Sequence, residues 1–542
     1  MQNSKIFTMK KLSIIMLASC LVLGGTSCSE EFLDRTPPGN LTDETFYKSP
    51  DAGFKSLVTC YRGFVSNFWG YEAARAELGN MATDDADKGG SDAGDRPFVT
   101  DLGFGRALSS NETLAGYWSA RYSAIGNCNV ALERLPEANL IDASGALLDP
   151  VQKSRYLAEI RFLRAFFYFE LAEVFGGVPL VTKTLTVDDR TKLNRASVKE
   201  MFQFIEAELT AAANDPAMLS AAKLQASEVG RATKEATWAL LARAYLFFAK
   251  DDPALFAKAR DAAKKVIDSG AFALHPQFQE IFLENGYKTK EAVFSVIMGD
   301  DPAIPIYGST INVYCSPRGA TGGWGFDLPT QDLVNEFEEG DPRLLYTILQ
   351  SGDQFPKLNG TKEVLDFSTY PNTGYHSRKV YLPESRRGQG WGNDAWTYHP
   401  IRYADVLLMY AEALIESGGD KAEAANYINQ VRKRASTSSR KDAEAASRVL
   451  KVAEKQLSDV KAGDDLRKAV RHERRVELAM EYHRLYDLMR WNTLVPTMKA
   501  YAAKPFSNGK GGNFTAGKNE VFPIPQVEID RSGGSIVQNP NY

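Results

Sequence analysis

The sequence is poor in the residues that staple, ligate or titrate near neutrality. Five cysteines and five histidines are spread over 542 residues. Cys60, Cys128 and Cys315 are too far apart in sequence for a disulfide framework or a zinc site, and the histidines show no ligand spacing. Charge of one sign is also missing: 64 basic residues face 68 acidic ones, for a formal net charge of -4. Nothing in that balance suggests the clustered basic surface that a nucleic-acid backbone demands. GxSxG, HExxH and GxxxxGK[ST] are absent, which removes the commonest hydrolase, zinc-protease and nucleotide signatures. Beyond the first 27 residues no apolar run is long and pure enough to span a bilayer.

Within those 27 residues stands a three-part export pattern. Lys10 and Lys11 precede an apolar run from Leu12 to Leu23, and Gly24 to Ser27 are small. The run is about a dozen residues, against about twenty for a spanning helix, so it reads as a removable signal. A cysteine after such a run resembles the acylation site of a bacterial lipoprotein. Leu17-Ala18-Ser19-Cys20 has the better local pattern, but cleavage there would leave Leu21, Val22 and Leu23 at the mature start. Cys28 follows a full apolar core and leads into acidic Ser29-Glu30-Glu31, so Cys28 is the expected lipidated residue. Loss of residues 1–27 removes three lysines and no acids, shifting the formal charge to -7.

Helical periodicity organises much of the remainder. Residues 232–248 and 252–270 read as a hairpin with a small-residue seam, and 402–416 with 420–435 as a second one joined by Gly418-Gly419. Asp420 and Glu423 form a capping-box pattern. Alternating large and small apolar residues allow close tetratricopeptide-like packing, although no fixed 34-residue period is present. Further helices are expected at 51–79, 112–135, 151–175 and 198–213, and one long charged helix at 464–491. In that last helix Arg474 with Glu477, Glu481 with Arg484 and Asp487 with Arg490 lie at i,i+3, and their network should brace it against its neighbours. A strand is expected at 292–298. Residues 80–110 and 299–400 are rich in Gly, Pro, Asp and aromatics, the composition of ordered functional loops. Some helical period near 449–457 lies in a charged insertion at 436–463, and 507–519 reads as a mobile Gly/Asn/Lys segment.

Six stretches in order resemble the SusD/RagB family of outer-membrane nutrient-binding lipoproteins: "CSEEFLD", "RFLRAFFYFELAEVFGGVPL", "GWGFDLPTQDLVNEFEEGDPRL", "IRYADVLLMYAEAL", "RRVELAMEYHRLYDLMRW" and "FPIPQVEIDRSGGSIVQNPNY". The resemblance implies a mainly α protein, a tetratricopeptide-like scaffold with an irregular second lobe containing a few short strands. It implies a signal at 1–27, a tether at 28–50, a helical region at 51–298, a loop-rich ligand lobe at 299–400 and a helical region at 401–542. It further implies a non-catalytic role, holding glycan at the exterior face of the outer membrane above a SusC-like TonB-dependent transporter. Peptide cargo is the alternative, and a surface glycoside hydrolase a more distant one.

A sugar needs flat apolar faces with planar polar groups at their edges. The irregular regions offer Arg96, Phe98, Phe104, Tyr307, Tyr314, Arg318, Trp324, Trp391 and Trp396. Trp391, within "RRGQGWGNDAW", has few apolar neighbours and is the expected exposed ring; Trp324 lies in a family-like stretch and is weighted towards packing. The acidic loop 83–95 could hold calcium through residues such as Asp85 and Asp87. It departs from the EF-hand pattern, since Gly89 replaces an acid and Arg96 stands where the bidentate glutamate belongs, and a solvated turn is the competing reading.

Overall fold

The computed structural model describes residues 43–65, 67–299, 308–367, 373–387 and 392–542. The signal, Cys28, Tyr307 and Trp391 lie outside them. Among the described residues, a small unit takes 43–52 together with 138–147, and a large unit takes the rest. In the small unit a short helix, Asp43–Phe46, accompanies a turn in which Asp142 Oδ1 accepts the amides of Ser144 at 2.8 Å and Ala146 at 3.1 Å.

Eleven helices carry the argument: α1 (Ala52–Tyr61), α2 (Pro97–Phe104), α3 (Glu112–Arg134), α4 (Pro150–Phe175), α5 (Val198–Asn214), α6 (Lys234–Phe248), α7 (Leu255–Asp268), α8 (Tyr403–Glu416), α9 (Lys421–Thr437), α10 (Leu466–Glu477) and α11 (Arg484–Arg490). From α3 to α9 each packs against the next, as a tetratricopeptide-like array does. The array runs from α7 directly to α8 although residues 269–402 intervene. That intervening chain is the irregular lobe. The starts are set locally. Asn111 caps α3, Asp149 with Pro150 opens α4, and Ser197 with Glu200 forms a reciprocal capping box on α5. At α9, Asp420 accepts the amides of Ala422 and Glu423, but the Glu423 carboxylate takes the Tyr410 hydroxyl instead of closing a box. The expected seams exist: Ala236, Ala239, Leu240 and Phe247 of α6 and Ala259, Ala262, Ala263 and Val266 of α7 are buried. Helix α4 is buried all round from Phe162 on, where Phe162, Phe166 and Phe64 meet Phe294. Each such ring contributes about 1.5–3 kcal/mol by leaving water.

The lobe is built on short antiparallel pairs. Among the described residues β1 (Ala86–Gly89) pairs with β3 (Phe326–Pro329), and β2 (Ala292–Met298) with β8 (Trp396–Arg402). Likewise β4 (Ile348–Gln350) pairs with β7 (Tyr375–Ser377), and β5 (Gln354–Pro356) with β6 (Lys362–Val364). The strand expected at 292–298 is β2.

Four local expectations need correction. Residues 51–79 are not one helix: α1 ends at Tyr61, and wide π-type turns at Phe68–Glu72 and Glu77–Met81 flank a single α turn. Residues 464–491 break into α10 and α11, with Met480 and Tyr482 at φ 61° and 70° between them. Gly79 permits that break, since a Cβ there would stand 2.5 Å from the Tyr482 carbonyl oxygen. Residues 449–457 form no helix; the Val449 amide is taken by Asp353 and the Leu457 amide by Ser436. The segment 507–519 is tied down, with Lys510 and Phe514 buried and Lys510 donating to the Ala86 carbonyl.

The charges of α10 and α11 do brace neighbours, although mostly not at i,i+3. Glu477 accepts from Arg343 at 2.8 Å, Arg402 at 2.6 Å and Arg434, and Glu481 takes Lys379 and Arg402 at 2.7 Å. Arg474 reaches Asp405 and Asp487, and Arg484 reaches Asp84. Only the Asp487 and Arg490 pair forms as the spacing suggests.

Candidate functional site

The wide turn after α1 creates an exposed tryptophan. Asn67 caps it by accepting the Gly70 amide at 2.9 Å, and the turn then lies directly on α3. The approach requires two glycines: a Cβ on Gly70 would stand 2.7 Å from the Gly116 carbonyl, and one on Gly116 would stand 3.2 Å from the Gly70 Cα. Phe68 turns inward against the core, and Trp69 turns outward with 46% of its surface open.

A second loop brings Trp324 alongside. The Gly323 amide donates to the Pro317 carbonyl, Trp324 to Val313, and Gly325 to Ser316. The loop folds on itself closely enough that a Cβ on Gly323 would meet the Ser316 carbonyl at 2.2 Å. Trp69 and Trp324 stack with centroids 5.6 Å apart and planes 13° from parallel. Phe68 supports both edge-on.

Glu77, on the next wide turn, anchors the polar rim. It accepts Arg96 Nε at 2.8 Å and Nη2 at 2.6 Å, the Tyr314 hydroxyl at 2.7 Å and the Thr113 hydroxyl. Arg96 holds a left-handed backbone (φ 51°) ahead of α2, a conformation that costs about 1–2 kcal/mol and is offset here by these charge-assisted bonds. Its guanidinium lies 4.3 Å from the Trp69 ring centre and 4.7 Å from that of Phe98. Beside it Arg318 pairs with Asp95 at 2.9 Å, and Asp95 also takes the Ser91 amide and hydroxyl. Tyr314 is fully buried, stacked 4.5 Å on Phe326; burial and the neighbouring Glu77 carboxylate push its phenol well up. The arrangement presents a half-open indole, with Arg96 lying over its ring, Trp324 stacked against it and the Arg318–Asp95 pair nearby, an apolar and polar surface suited to a sugar.

Residues separated by up to 255 positions thus meet in one place: Trp69, Arg96, Phe98, Tyr314, Arg318 and Trp324. Trp69 escaped the sequence reading because it stood inside an apparently continuous helix. Its signal was Asn67 followed by adjacent Phe68 and Trp69 and then Gly70, a cap and a breaker around two aromatics. Trp324, weighted towards packing, is the partner of the exposed ring. Tyr314 presents no face and acts as a support. Phe104 lies elsewhere, under Arg106 in a hollow of about 450 Å³ with Asp87 and Lys88. Trp396 is a correction: it is 7% exposed, on β8 and parallel to Tyr398, so it belongs to the core.

The two acids named for calcium pair with basic side chains of the protein itself. Asp85 pairs with Arg475 at 2.8 Å, and Asp87 meets Lys510 at 3.2 Å. Burial raises the cost of charge on neighbouring Asp84, but Arg475 and Arg484 outweigh it and hold that carboxyl well below its usual range. The protein's own cations occupy these acids. Among the described residues no three Asp, Glu, His or Cys side chains converge as a metal site.

Comparisons with known proteins agree with this architecture. The SusD family profile matches residues 290–542, and a profile described as starch-binding associating with the outer membrane matches 31–246. A SusD-like protein of Formosa agariphila is 27% identical over 98% of this chain and its own full length. The starch-binding protein SusD of Bacteroides thetaiotaomicron is 25% identical, covering 72% of this chain and 73% of its own. Among solved structures, a laminarin-binding SusD-like protein superposes with a TM-score of 0.71 at 26% identity, covering 92% of this chain and all of its own.

Proposed function

Because the chain belongs to the SusD family, whose members include glycan binders, we propose that it holds an oligosaccharide on the surface formed by Trp69 and Trp324 without changing it. The observation that carries this reading is the stacked indole pair, one ring nearly half open, with Arg96 lying over that ring and the Arg318–Asp95 pair nearby. Sugar C–H faces lie on the rings, and hydroxyls meet the charged rim. A binding role also suits the acids at hand. Glu77 is consumed by three donors and Asp95 by two residues, which leaves neither as a free proton carrier.

Acylated Cys28 tethers the protein to the outer face of the outer membrane. Movement of cargo inward is assigned to a partner, a SusC-like TonB-dependent transporter, as the resemblance to the family implies; no helix among the described residues is long and apolar enough to cross a membrane. One solved relative is described as laminarin-binding and one curated relative as starch-binding, so β- and α-glucan oligosaccharides are the first probes. Calorimetry of the full chain should show saturable binding, with unchanged sugar recovered by chromatography. Turnover that survives repurification would replace the reading with an enzymatic one. Lipidation at Cys28 is read by mass spectrometry of the N-terminal peptide, and the transporter by co-purification from gently solubilised membranes.

A further inference from the structure

Away from the residues of the Trp69 surface, α10, α11 and the start of the following helix, Leu494–Ala502, line a groove of about 450 Å³. Six basic side chains line it, Arg467, Lys468, Arg471, His472, Arg475 and Arg484, against two acidic ones, Glu336 and Asp465. Most of these cations are already spent. Arg475 and Arg484 serve Asp84 and Asp85, Arg467 is held by Glu416 at 2.5 Å, and His472 lies between Glu336 at 2.6 Å and Glu338 at 3.1 Å. Two remain. Neither Lys468 nor Arg471 has a carboxylate within ion-pair distance among the described residues, and they stand one helical turn apart on the same face of α10. Asp465 uses an oxygen to cap α10 at the Lys468 amide. Arg471 is half-buried with its guanidinium carbon over the Trp491 ring, 4.8 Å from the ring centre, a contact that restrains its fork before any ligand arrives. Thr493 and Thr497 supply hydroxyls on the opposite wall.

We propose that this groove is a second, anion-selective subsite that grips the acidic substituent of a glycan, a uronate carboxylate or a sulfate ester. A planar guanidinium offers two parallel donors to either group, the ammonium adds a point charge, and the threonine hydroxyls meet the sugar ring. The volume fits about one or two sugar units. The proposal rests on the glycan-binding reading only for the polymer; the anion chemistry stands on α10 itself.

The test is calorimetry on the full chain with three probes of equal length: an oligogalacturonate, a sulfated galactan oligosaccharide and a neutral galactan oligosaccharide. Inorganic sulfate is the fourth arm. At least one acidic oligosaccharide should bind ten-fold or more tighter than the neutral one, and weaken as salt rises. The double variant Lys468→Ala, Arg471→Ala should abolish that preference, Arg471→Lys should restore part of it, and neutral-glucan binding at Trp69 should not change. Which acidic probe wins separates carboxylate from sulfate. Trp69→Ala separates the two sites: acidic binding that survives it while glucan binding fails supports the subsite independently of the first reading. Equal affinity for acidic and neutral probes, a preference unchanged in the double variant, or inorganic sulfate binding as tightly as the sugars, an adventitious ion only, each overturns the proposal.

Discussion

Two regions of this protein combine arginine, carboxylate and aromatic groups, and they do opposite things with them. Around Glu477, on α10, three guanidiniums converge on one fully buried carboxylate, and Phe278 lies beside Arg402 and Arg434. Around Trp69 a similar set, Arg96, Glu77, Tyr314 and Phe98, ends in a ring with 46% of its surface in water. The first set closes on itself and leaves no surface. In the second, the charges pair with one another around the ring, and an indole nearly half open is what remains. Local composition therefore does not separate a scaffold from a binding surface here. The direction of the last unsatisfied group does.

The largest effect should come from opening the closed set. Glu477→Ala removes the carboxylate shared by Arg343, Arg402 and Arg434 from a low-dielectric interior and leaves Glu291, Asp341, Glu473 and Glu481 to carry three guanidiniums. Removal of one partner from a buried ion network costs about 3–5 kcal/mol, far beyond a surface change. Urea unfolding of the variant should show a loss of that size, with residual folded protein still able to bind glycan. A loss below about 1 kcal/mol would mean that solvent reaches the network and that the contrast with Trp69 is not one of burial.

A half-open ion cluster falls between the two regions and responds to pH. Burial opposes charge on His472, but Glu336 and Glu338 outweigh it and raise its pKa to about 9. The unfolded value is about 6.5, so this stabilisation is complete below about pH 6.5 and is lost as pH rises through 9. Glu336 and Glu338 are correspondingly held below their usual range, so the same cluster weakens again in acid as they protonate. The alkaline loss is about 3 kcal/mol at most, less after solvent screening. Stability measured at pH 6 and pH 10 should fall more for the native protein than for His472→Gln; parallel curves would remove the histidine from the account.

How much of this could be read from the chain follows from the same contrast. Helices α3 to α9 announce themselves by apolar residues at helical spacing, and α3, α4, α5, α6 and α9 also by a local cap, both written in neighbouring residues. The breaks do not. Residues 478–483 retain the apolar spacing of a helix, and only the distant Gly79, which lets Tyr482 approach, shows why the chain leaves it. The aromatic site suffers in both ways. Arg96, Phe98, Arg318 and Trp324 stand out by type in loop-rich segments. Trp69 was concealed by helical period, and Trp396 looked equally available until pairing with Met298 placed it inside.

Opening the exposed set should act on affinity instead of stability. Trp69→Ala removes stacking worth about 0.5–1.5 kcal/mol beyond the lost area, so oligosaccharide binding should weaken by about ten-fold or more. Unfolding free energy should stay within about 0.5 kcal/mol of the native value. Trp396→Ala is the internal comparison. It should lose about 3–5 kcal/mol of stability, and whatever remains folded should bind normally. Interchanged outcomes would exchange the roles of the two rings.

The smallest change tests how finely the platform is set. Gly116 and Gly126 both lie inside α3, where alanine is favoured over glycine by about 0.5–1 kcal/mol. At Gly126 a Cβ meets nothing within 4 Å, so Gly126→Ala should stabilise the protein by about that amount and leave binding alone. At Gly116 the new Cβ would stand 3.2 Å from the Gly70 Cα, and the wide turn that carries Trp69 must yield by a few tenths of an ångström. The helical gain and the crowding then nearly cancel in stability. They do not cancel at the ring, whose stacking on Trp324 depends on that turn. Gly116→Ala should therefore unfold at nearly the native denaturant midpoint and bind oligosaccharide about two- to five-fold more weakly, a loss of about 0.4–1 kcal/mol. Native affinity in Gly116→Ala would show that the two indoles adjust independently of the seam beneath them, and the glycine pair would then be a packing feature alone.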